Sequence, residues 1–517
     1  MTNRFGKCGS LADLFVRTCG WKGRHTIFAD DQDRQFSGDV ALDRASRFAS
    51  ALRAAGAERG DVVAFLCLGS APHAVAWFGA IMGGYVTSNL HVRIDSVDQV
   101  AQTLEWLDAK FVVHDVAFAE LIQAAVQKSG LGIRTLPLDD GVDGWAAFVN
   151  TAEPLDYRGE RPEPSSLASI VLSSGSTGQP KGVMHSQATL LAAALSGQGM
   201  LEGLHKKDTV MLAMNPSFAA WLMFVLAATA GRSRLFFVRR YEPATVIELI
   251  ERERVTVFPS VPTMWRMAFA VDTKDRDLTS LRLIGVGGET LTADDVTRMT
   301  TQFCKRLAGG YMASESANGC AVMVYAEDLA DAKKIGCTGQ PVAGADVRIV
   351  DPEGSIDDLL QSGQTGEIVV TGSSVGLGYW REPELTAKKF VDGWWRSGDL
   401  GHLDEDGYLW INGRVDNVIN TGGIKVHAEE IEAQVLTHPG VSACAVVGHR
   451  DVHFGQRVVA YVVLKAAGVT PDDLKVHLKE HCQMSSYKVP KAIHILDALP
   501  TGLTGKLDRR ALRNAGD

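Results

Sequence analysis

The sequence predicts an α/β protein with a large N-terminal domain and a small C-terminal domain. Three observations carry this prediction. The chain has 517 residues, more than one hydrophobic core usually organises. Helical and β-strand patterns alternate over its first third, which favours mostly parallel sheets covered by helices. From about residue 340 the pattern changes to short strands separated by Gly and Asp turns.

The N-terminal part repeats strand and helix signals. Apolar residues at helical spacing predict helices over residues 42–55, 73–83, 97–108 and 244–253. Short apolar runs predict buried strands over residues 61–66, 111–113, 170–172, 255–258 and 281–284. Thr292 precedes two acids in a pattern typical of a helix capping box.

Three short strands, 346–350, 367–371 and 408–412, predict a small antiparallel or barrel-like unit over about 340–414. A compact α+β segment follows, with helices over 429–436 and 471–481 and strands over 441–448, 457–464 and 491–496. We place the boundary after Arg414. This gives an N-terminal domain over 1–414 and a C-terminal domain over 415–517.

Composition favours a soluble globular enzyme, with 46% hydrophobic and 22% charged residues. The net charge is −9 and no basic cluster stands out, so we expect no nucleic-acid partner. Residues 1–7 lack the apolar core of a signal peptide, and the longest apolar stretch, 218–230, is too short for a membrane span. Eight scattered cysteines without CxxC spacing argue against a zinc or redox motif. We expect most of them to be buried, in a reducing cytoplasm.

A glycine- and hydroxyl-rich loop follows the apolar strand at 170–172. Glycines let backbone N–H groups approach an anion, hydroxyls add donors, and Lys181 adds positive charge. The loop is therefore predicted to hold a polyphosphate. It does not match the GxxxxGK[ST] loop, because Pro180 precedes Lys181 and Gly182 follows it. The predicted phosphate contacts are Ser173, Ser174, Gly175, Ser176, Thr177, Gly178 and Lys181.

This loop resembles the phosphate loop of the acyl-adenylate-forming enzymes, which include acyl-CoA synthetases, peptide-synthetase adenylation domains and firefly luciferase. Further motifs of that superfamily follow in family order, and the resemblance covers about residues 10–513. They are Gly287-Gly288-Glu289, the GYMASE run at 310–315, WRSGD at 395–399, GRVD at 413–416 and GKLDR at 505–509. The chain is identified as a member of the acyl-CoA synthetase branch, which implies ATP, Mg²⁺ and CoA as cofactors.

The resemblance implies catalytic roles for three residues. Thr177 contacts the ATP phosphates and the metal, with Lys181 supporting the pyrophosphate end. Glu315 is the residue linked to Mg²⁺, a hard cation that prefers carboxylate and phosphate oxygens. Lys506 bridges the substrate carboxylate and the α-phosphate as negative charge develops there.

The resemblance also implies an adenosine pocket. Gly287, Gly288 and Glu289 let adenine lie on the backbone, and Tyr311 stacks on the ring. Asp399 accepts hydrogen bonds from the ribose hydroxyls, and Arg414 reaches the ribose or the α-phosphate. The remaining members of the predicted nucleotide site are Gly310, Met312, Ala313 and Ser314.

The C-terminal domain is predicted to rotate between two half-reactions. Gly422, Gly423 and Lys425 belong to a loop that resembles the lining of the pantetheine tunnel, where Asn420 stands in place of a common lysine. Lys506 serves adenylation and the glycine loop serves thioester formation, so one rigid pose does not suit both. Asp416 matches the hinge position.

The acyl pocket is predicted to include Ser217, Phe218, Trp221, Gln187, Gly287 and Ala313. No acid occurs between Met211 and Gly231, so an amino-acid substrate would leave a buried ammonium unpaired. The substrate is therefore predicted to be a non-amino, largely apolar acid of aryl, alicyclic or medium-chain type. Phe218 and Trp221 alternatively pack the core, and Gln187 alternatively caps a helix.

Three function classes remain open from the sequence. The leading class is an ATP-dependent acyl-CoA ligase, which forms acyl-AMP and then acyl-CoA. The second is an acyl-AMP ligase that loads a separate carrier protein, since no carrier domain follows Lys506. The third is a catalytically silent nucleotide-binding sensor, against which Glu315, Asp399, Arg414 and Lys506 argue.

Overall fold

The computed structural model describes residues 8–139, 144–173, 181–289, 291–316, 322–325 (backbone only), 331, 333–466, 468–502 and 507–515. Its N-terminal helices are α1 (Leu11–Lys22), α2 (Gly38–Ala54), α3 (Ala71–Gly83), α4 (Val97–Leu107), α5 (Ala119–Ser129), α6 (Trp145–Asn150), α7 (Gln187–Met200), α8 (Ala219–Gly231), α9 (Pro243–Arg252), α10 (Pro262–Ala268) and α11 (Ala293–Gln302). Further helices are α12 (Pro383–Lys389), α13 (Ala428–Leu436), α14 (Pro471–Val476) and α15 (Arg509–Asn514).

The strands before residue 300 are β1 (Thr26–Asp30), β2 (Gln35–Ser37), β3 (Val62–Leu66), β4 (Val86–Asn89), β5 (Ala109–His114), β6 (Arg134–Pro137), β7 (Leu167–Ser173), β8 (Lys181–Ser186), β9 (Thr209–Leu212), β10 (Arg234–Phe237), β11 (Val257–Ser260) and β12 (Leu283–Gly287). The later strands are β13 (Leu307–Tyr311), β14 (Val322–Tyr325), β15 (Gln340–Pro341), β16 (Ala345–Val350), β17 (Gly366–Gly372), β18 (Gly378–Tyr379), β19 (Phe390–Val391), β20 (Trp394–Leu403), β21 (Leu409–Arg414), β22 (Val418–Thr421), β23 (Ile424–His427), β24 (Val441–Asp451), β25 (Gly455–Leu464) and β26 (Ala492–Ile495).

Two large sheets dominate the described N-terminal residues. One has nine strands in the order β15-β14-β13-β12-β11-β9-β10-β1-β2, and its inner pairs from β13 to β1 are parallel. The other has seven strands in the order β18-β8-β7-β4-β3-β5-β6, with β7 to β6 parallel. Parallel pairing places the carboxyl ends of neighbouring strands at one edge, where α/β proteins bind ligands.

Two smaller sheets follow. A five-stranded sheet is ordered β16-β17-β20-β19, with β21 paired antiparallel to β20. A second five-stranded sheet is ordered β23-β22-β25-β24, and β26 pairs parallel with β25. These arrangements match the short strands predicted after about residue 340 and the α+β segment predicted beyond Arg414.

The main hydrophobic core of the large sheets is aromatic. Phe15 and Phe78 stack with ring centroids 4.2 Å apart, and Phe28 stacks on Phe78 at 6.0 Å. All three rings are fully buried. Stacked aromatic pairs add to the hydrophobic free energy of burial, so this cluster joins α1, α3 and β1 firmly.

Most predicted elements are present with shifted ends. Helix α2 begins at Gly38 instead of residue 42, because the Ser37 side chain accepts a hydrogen bond from Val40 and caps the helix earlier. Thr292 forms the predicted capping box with Asp295. The segment predicted as one helix over 471–481 is α-helical over Pro471–Val476 and π-helical over His477–His481.

The chain divides into two compact units. The first comprises the described parts of 1–173, 180–347 and 370–395, and the second comprises those of 348–369 and 396–517. The second unit therefore contains the predicted C-terminal domain together with residues 348–369 and 396–414. The predicted domain boundary after Arg414 stays a prediction.

Of the helices in the described part of the chain, none combines the length and apolar character that a bilayer span requires. Among the described cysteines, Cys19, Cys67, Cys304, Cys337 and Cys444 are buried. The predicted burial of most cysteines holds for these residues.

Candidate active site

The phosphate loop connects two antiparallel strands of the first unit. β7 ends at Ser173 and β8 begins at Lys181, and these two residues are register partners. The Ser173 hydroxyl lies 3.5 Å from the Lys181 carbonyl oxygen. The intervening residues 174–180 lie outside the described residues. The predicted roles of Ser174, Gly175, Ser176, Thr177 and Gly178 therefore stay predictions.

Tyr379 joins two predicted site residues. The Lys181 Nζ atom lies 5.8 Å from the centroid of the Tyr379 ring, and the Tyr379 hydroxyl donates to Glu315 Oε1 at 2.9 Å. Trp395 Nε1 donates to the Tyr379 oxygen at 3.4 Å. Tyr379 is 4% exposed. The fold thus brings the phosphate-loop lysine and the glutamate predicted to act with Mg²⁺ onto one tyrosine.

Sequence reasoning missed Tyr379. The residue lies in the two-residue strand β18, which pairs antiparallel with β8 at Val183. That pairing links segments almost 200 residues apart in sequence, and no local sequence pattern predicts it. The available signal was the Gly376-Leu377-Gly378-Tyr379 run, in which two glycines precede an aromatic residue, as happens where backbones approach closely.

The backbone around Glu315 is held on two sides. Ser314–Ser316 form a 3₁₀ turn, and the Gly376 N–H donates to the Glu315 carbonyl oxygen at 2.7 Å. His185 Nε2 lies 2.9 Å from the Ser314 carbonyl oxygen. Burial lowers the pKa of His185 to about 4, so the ring is neutral near pH 7 and donates from Nε2 to that carbonyl. Glu315 is therefore a positioned carboxylate, an oxygen donor of the kind that suits Mg²⁺.

The two glycine-rich motifs of the predicted adenosine pocket lie side by side. β12 and β13 are parallel, and Gly287 is the register partner of Gly310. A Cβ atom at Gly287 would lie 2.7 Å from Met312 Cε, so a larger residue there would require the methionine side chain to move. Gly288 has φ +82°, a conformation that favours glycine. The structure thus brings Gly287, Gly288, Gly310, Tyr311 and Met312 together at one sheet edge.

Glu289 is bound by neighbouring side chains. Its Oε2 atom accepts from the Thr263 hydroxyl at 2.7 Å and from Arg266 Nη1 at 3.1 Å. Arg266 also pairs with Asp295 at 2.7 Å. The Glu289 carboxylate thereby fastens the loop after β12 to α10 and α11. Its predicted contact with the nucleotide stays a prediction.

A narrow cavity opens beside the predicted acyl-pocket segment. It is lined by Asn89, Ser169, Ile170, Val171, Leu172, Pro216, Ser217, Phe218 and Leu222. The Ser217 hydroxyl donates to Asn215 Oδ1 at 3.0 Å, and Asn89 Nδ2 donates to the Pro216 carbonyl oxygen at 3.1 Å. No carboxylate lines this cavity within the described residues. Ser217 and Phe218 line this cavity, and their role in an acyl pocket stays a prediction.

Two other acyl-pocket predictions need correction. Trp221 is fully buried and stacks on His73, with ring centroids 5.0 Å apart. Gln187 is also fully buried; its Oε1 accepts from the Ala12 N–H at 3.1 Å and its Nε2 donates to the Ile81 carbonyl oxygen at 3.0 Å. Trp221 thus packs the core, which was its alternative. Gln187 ties α1 to α3, while the side chain that caps α7 is Ser186.

In the second unit, the two predicted ribose contacts face each other. Asp399 on β20 is the register partner of Arg414 at the end of β21. Arg414 Nη1 lies 2.9 Å from Asp399 Oδ1, and the arginine side chain is 50% exposed. Antiparallel pairing brings these motifs together across 15 residues of sequence, so the carboxylate and the guanidinium form one polar site.

Glu367 is a second residue that sequence reasoning missed. Its carboxylate accepts from the Gly398 N–H at 2.9 Å and from Arg396 Nε at 2.8 Å, although the residue is only 4% exposed. Gly398 has φ +76°. Glu367 thus holds the backbone of β20 that immediately precedes Asp399. The available signal was an acid inside an apolar strand, because a buried carboxylate requires partners.

The predicted CoA loop is a tight hairpin. Gly422 and Gly423 have φ +62° and +82° and connect β22 to β23, as glycines do in two-residue hairpins. Lys425 Nζ lies 2.6 Å from Glu353 Oε1, which raises the pKa of the lysine. Asp416 lies in the 3₁₀ turn Val415–Asn417. Lys506 lies outside the described residues.

Comparison with known proteins decides the family. The profile described as "AMP-binding enzyme" matches residues 15–380, and that of the "AMP-binding enzyme C-terminal domain" matches residues 430–506. The chain belongs to the AMP-binding enzyme family. The predicted membership, α/β fold and enzyme class of acid–thiol ligase are confirmed at this level.

Named relatives and solved structures cover nearly the whole chain. This chain is 33% identical over 479 residues to a feruloyl-CoA synthase of an Amycolatopsis species, and the alignment covers 91% of this chain and 92% of the relative. It is 29% identical over 503 residues to the benzoate–CoA ligase of Thauera aromatica, covering 96% and 93%. The crystal structure of ATP-bound MatB from Rhodopseudomonas palustris matches with a TM-score of 0.86 at 26% identity, covering 98% of each chain.

Tyr379→Phe is expected to lower the rate of adenylation by about 10-fold, because it removes one charge-assisted hydrogen bond to Glu315. The ring, and with it the contact to Lys181, is retained. Pyrophosphate release at varied Mg²⁺ measures the effect, and the half-saturating Mg²⁺ concentration should rise. Tyr408→Phe, an aromatic change outside this cluster, is the control. An unchanged Mg²⁺ dependence would contradict the role given to Tyr379.

Proposed function

We propose that this chain is an ATP-dependent CoA ligase for an aryl carboxylic acid. In the first step the substrate carboxylate attacks the α-phosphorus of ATP, and pyrophosphate leaves. In the second step the CoA thiol, losing its proton, attacks the acyl carbonyl carbon of the adenylate, and AMP leaves. The products are acyl-CoA, AMP and pyrophosphate. The first step gives the acyl group a good leaving group, AMP, which the CoA thiol then displaces in the second step.

The first unit supplies the groups that act on the phosphates. Lys181 brings a positive charge to the end of the phosphate loop. Glu315 brings a carboxylate that accepts from the Tyr379 hydroxyl, on a backbone held by the Gly376 N–H. Mg²⁺, when bound, neutralises phosphate charge and orients the phosphate oxygens. Glu315 is the described residue that would hold it. Preorganised charges of this kind stabilise the negative charge that develops on the transferred group.

The second unit supplies the groups proposed for the ribose. Asp399 carries oxygens that accept hydrogen bonds from the two ribose hydroxyls, and Arg414 pairs with it at 2.9 Å. The half-exposed guanidinium retains donors for a phosphate oxygen. The Gly422-Gly423 hairpin presents backbone without side chains, which suits a thin pantetheine arm. Rotation about Asp416 between the two steps is part of this proposal.

The observation that carries the substrate class is the chemistry of the side chains around the narrow cavity at Ser217 and Phe218, which would have to open to admit an aryl acid. Its lining is apolar apart from Asn89, Ser169 and Ser217, and it contains no carboxylate among the described residues. An α-ammonium group would lie there unpaired, at a cost of several kcal/mol. The names of the feruloyl-CoA and benzoate–CoA relatives support an aryl acid.

One polar group beside the cavity favours an aryl ring with a hydroxyl substituent. His91 contacts Phe218 edge to face, with ring centroids 5.4 Å apart. Its Nε2 atom is buried and has no hydrogen-bond partner among the described residues. Burial lowers the pKa of His91 to about 4, so the ring is neutral near pH 7. A substrate hydroxyl would satisfy this otherwise costly buried atom.

A panel of acids tests the proposal by CoA-dependent AMP release. Benzoate, hydroxybenzoates and ferulate are expected to exceed octanoate in kcat/KM by at least about 10-fold, as one or two matched pocket contacts allow. The matched pair 3-phenylpropanoate and phenylalanine differs only in the ammonium group, so the amino acid is expected to be about 100-fold poorer. A leading rate for octanoate or phenylalanine would refute the aryl-acid proposal. Activity with carrier-bound pantetheine but not with CoA would refute the proposal that CoA is the acyl acceptor.

A further inference from the structure

The last helix of the second unit contacts the proposed hinge. Arg513 on α15 donates from Nη2 to the Asp416 carbonyl oxygen at 2.8 Å and to Asn417 Oδ1 at 3.1 Å. Asp416 and Asn417 belong to the 3₁₀ turn between β21 and β22. One guanidinium therefore binds both the backbone and a side chain of the turn, 97 and 96 residues away in sequence.

The same turn is held from its other side by Glu429 on α13. Asn417 Nδ2 donates to Glu429 Oε1 at 2.7 Å. The second oxygen of Glu429 lies 2.5 Å from the position that a Cβ atom would occupy at Gly413. The carboxylate thus fills the space beside the end of β21. Arg513, Asn417 and Glu429 form a continuous set of contacts around the turn, which we call the hinge clamp.

Helix α15 is itself firmly anchored, so Arg513 projects from a rigid base. Arg509 Nη2 donates to Glu432 Oε2 at 2.9 Å and Arg509 Nη1 donates to the Val446 carbonyl oxygen at 3.0 Å. The Tyr461 hydroxyl donates to the Leu512 carbonyl oxygen at 3.3 Å, and Leu512 is 3% exposed. Charge-assisted and buried bonds of this kind resist displacement. By contrast, the hinge residue Asp416 is exposed.

We propose that Arg513 is a positioning residue that holds the hinge turn in one of its backbone arrangements. This inference rests on the proposed function, because it assumes two half-reactions that need different settings of the hinge. Rotation changes the φ and ψ angles at Asp416 and therefore redirects its carbonyl oxygen. The Arg513–Asp416 bond stabilises the setting in which that oxygen points to α15. Its loss shifts the population between the two settings.

Two measurements on the full-length enzyme test the clamp. Hydrogen–deuterium exchange reports the opening of the peptide over residues 413–420 directly. The ratio of the two half-reaction rates, adenylation by pyrophosphate release and thioester formation from supplied acyl-AMP, reports the consequence. The variants are Arg513→Ala, which removes all donors, and Arg513→Lys, which keeps the charge but loses the planar fork. Arg510→Ala removes the same charge from the same helix and is the control.

Arg513→Ala is expected to speed exchange over 413–420 by about 10-fold, the effect of losing one hydrogen bond to a charged group. The half-reaction ratio is expected to change by about 5- to 10-fold with one rate rising relative to the other, as a population shift of that size requires. Arg513→Lys is expected to lie between wild type and Arg513→Ala. Arg510→Ala is expected to match wild type in both measurements.

Unchanged exchange in folded Arg513→Ala would overturn the clamp, and so would a half-reaction ratio equal to that of wild type. Equal effects of Arg510→Ala would also overturn it, because the change would then reflect helix charge alone. If Arg513→Ala does not fold, Arg513→Lys carries the same test. Absence of either half-reaction in wild type would instead refute the proposed function, so the two failures are distinguishable.

Discussion

Lys506→Ala is expected to lower acyl-AMP formation by about 100- to 1000-fold, the size of effect seen when one preorganised donor is removed from a developing negative charge. Carboxylate attack on ATP brings two anionic groups together, and the lysine cation offsets their repulsion. Thioester formation from supplied acyl-AMP lacks that encounter and is expected to stay within about threefold of wild type, because no interaction of that transition state is removed. Pyrophosphate release and acyl-CoA formation measure the two steps separately.

Lys491→Ala, a lysine of the same unit outside the GKLDR motif, is the control for lost charge. The position of Lys506 rests on its sequence motif, so this experiment is also the direct test of that assignment. Equal losses in both half-reactions, in a variant with wild-type thermal stability, would show that Lys506 does not act selectively in adenylation. Unimpaired acyl-AMP formation would remove it from the catalytic residues.

Glu315→Gln is expected to lower kcat/KM for Mg²⁺–ATP by about 100-fold, because the half-buried carboxylate is proposed to act on Mg²⁺ through its full charge. The amide keeps the shape of the carboxylate, and its oxygen still accepts the Tyr379 hydroxyl that now lies 2.9 Å away. The 3₁₀ turn is also retained, since it depends on His185 and Gly376. Stability is therefore expected to change little, while the half-saturating Mg²⁺ concentration rises.

Initial rates over a range of Mg²⁺ at fixed ATP measure this change. Glu384→Gln, on the exposed first turn of α12, removes an equal charge from a side chain outside the GYMASE motif. A higher Mg²⁺ concentration should partly restore the activity of Glu315→Gln. It should leave the activity of Glu384→Gln unchanged relative to wild type. A Glu315→Gln enzyme with wild-type activity at low Mg²⁺ would separate this carboxylate from the metal.

Much of the chemistry was predictable because it resides in contiguous motifs. The phosphate loop was predicted from its small, hydroxylated and glycine residues, and its role stays a prediction. The glycines at 422 and 423 were assigned to a loop, which the structure shows as a tight hairpin. The alternation of strand and helix patterns likewise specified parallel sheets, since period and length are local properties. The absence of an acid over 211–231 excluded a partner for a substrate ammonium without reference to any fold. Element ends shifted where a cap intervened, as Ser37 does for α2.

Only the tertiary structure decided which side chains act on those motifs from a distance. Tyr379 reaches Glu315 through the pairing of β18 with β8, and Glu367 holds the backbone of β20 before Asp399. It also reassigned Trp221 and Gln187, whose burial depends on helices far away in sequence. The identity of a residue does not by itself determine which part of the chain will pack against its side chain. Long-range strand pairing and helix packing determine that surface, and with it whether a tryptophan or glutamine meets substrate or core.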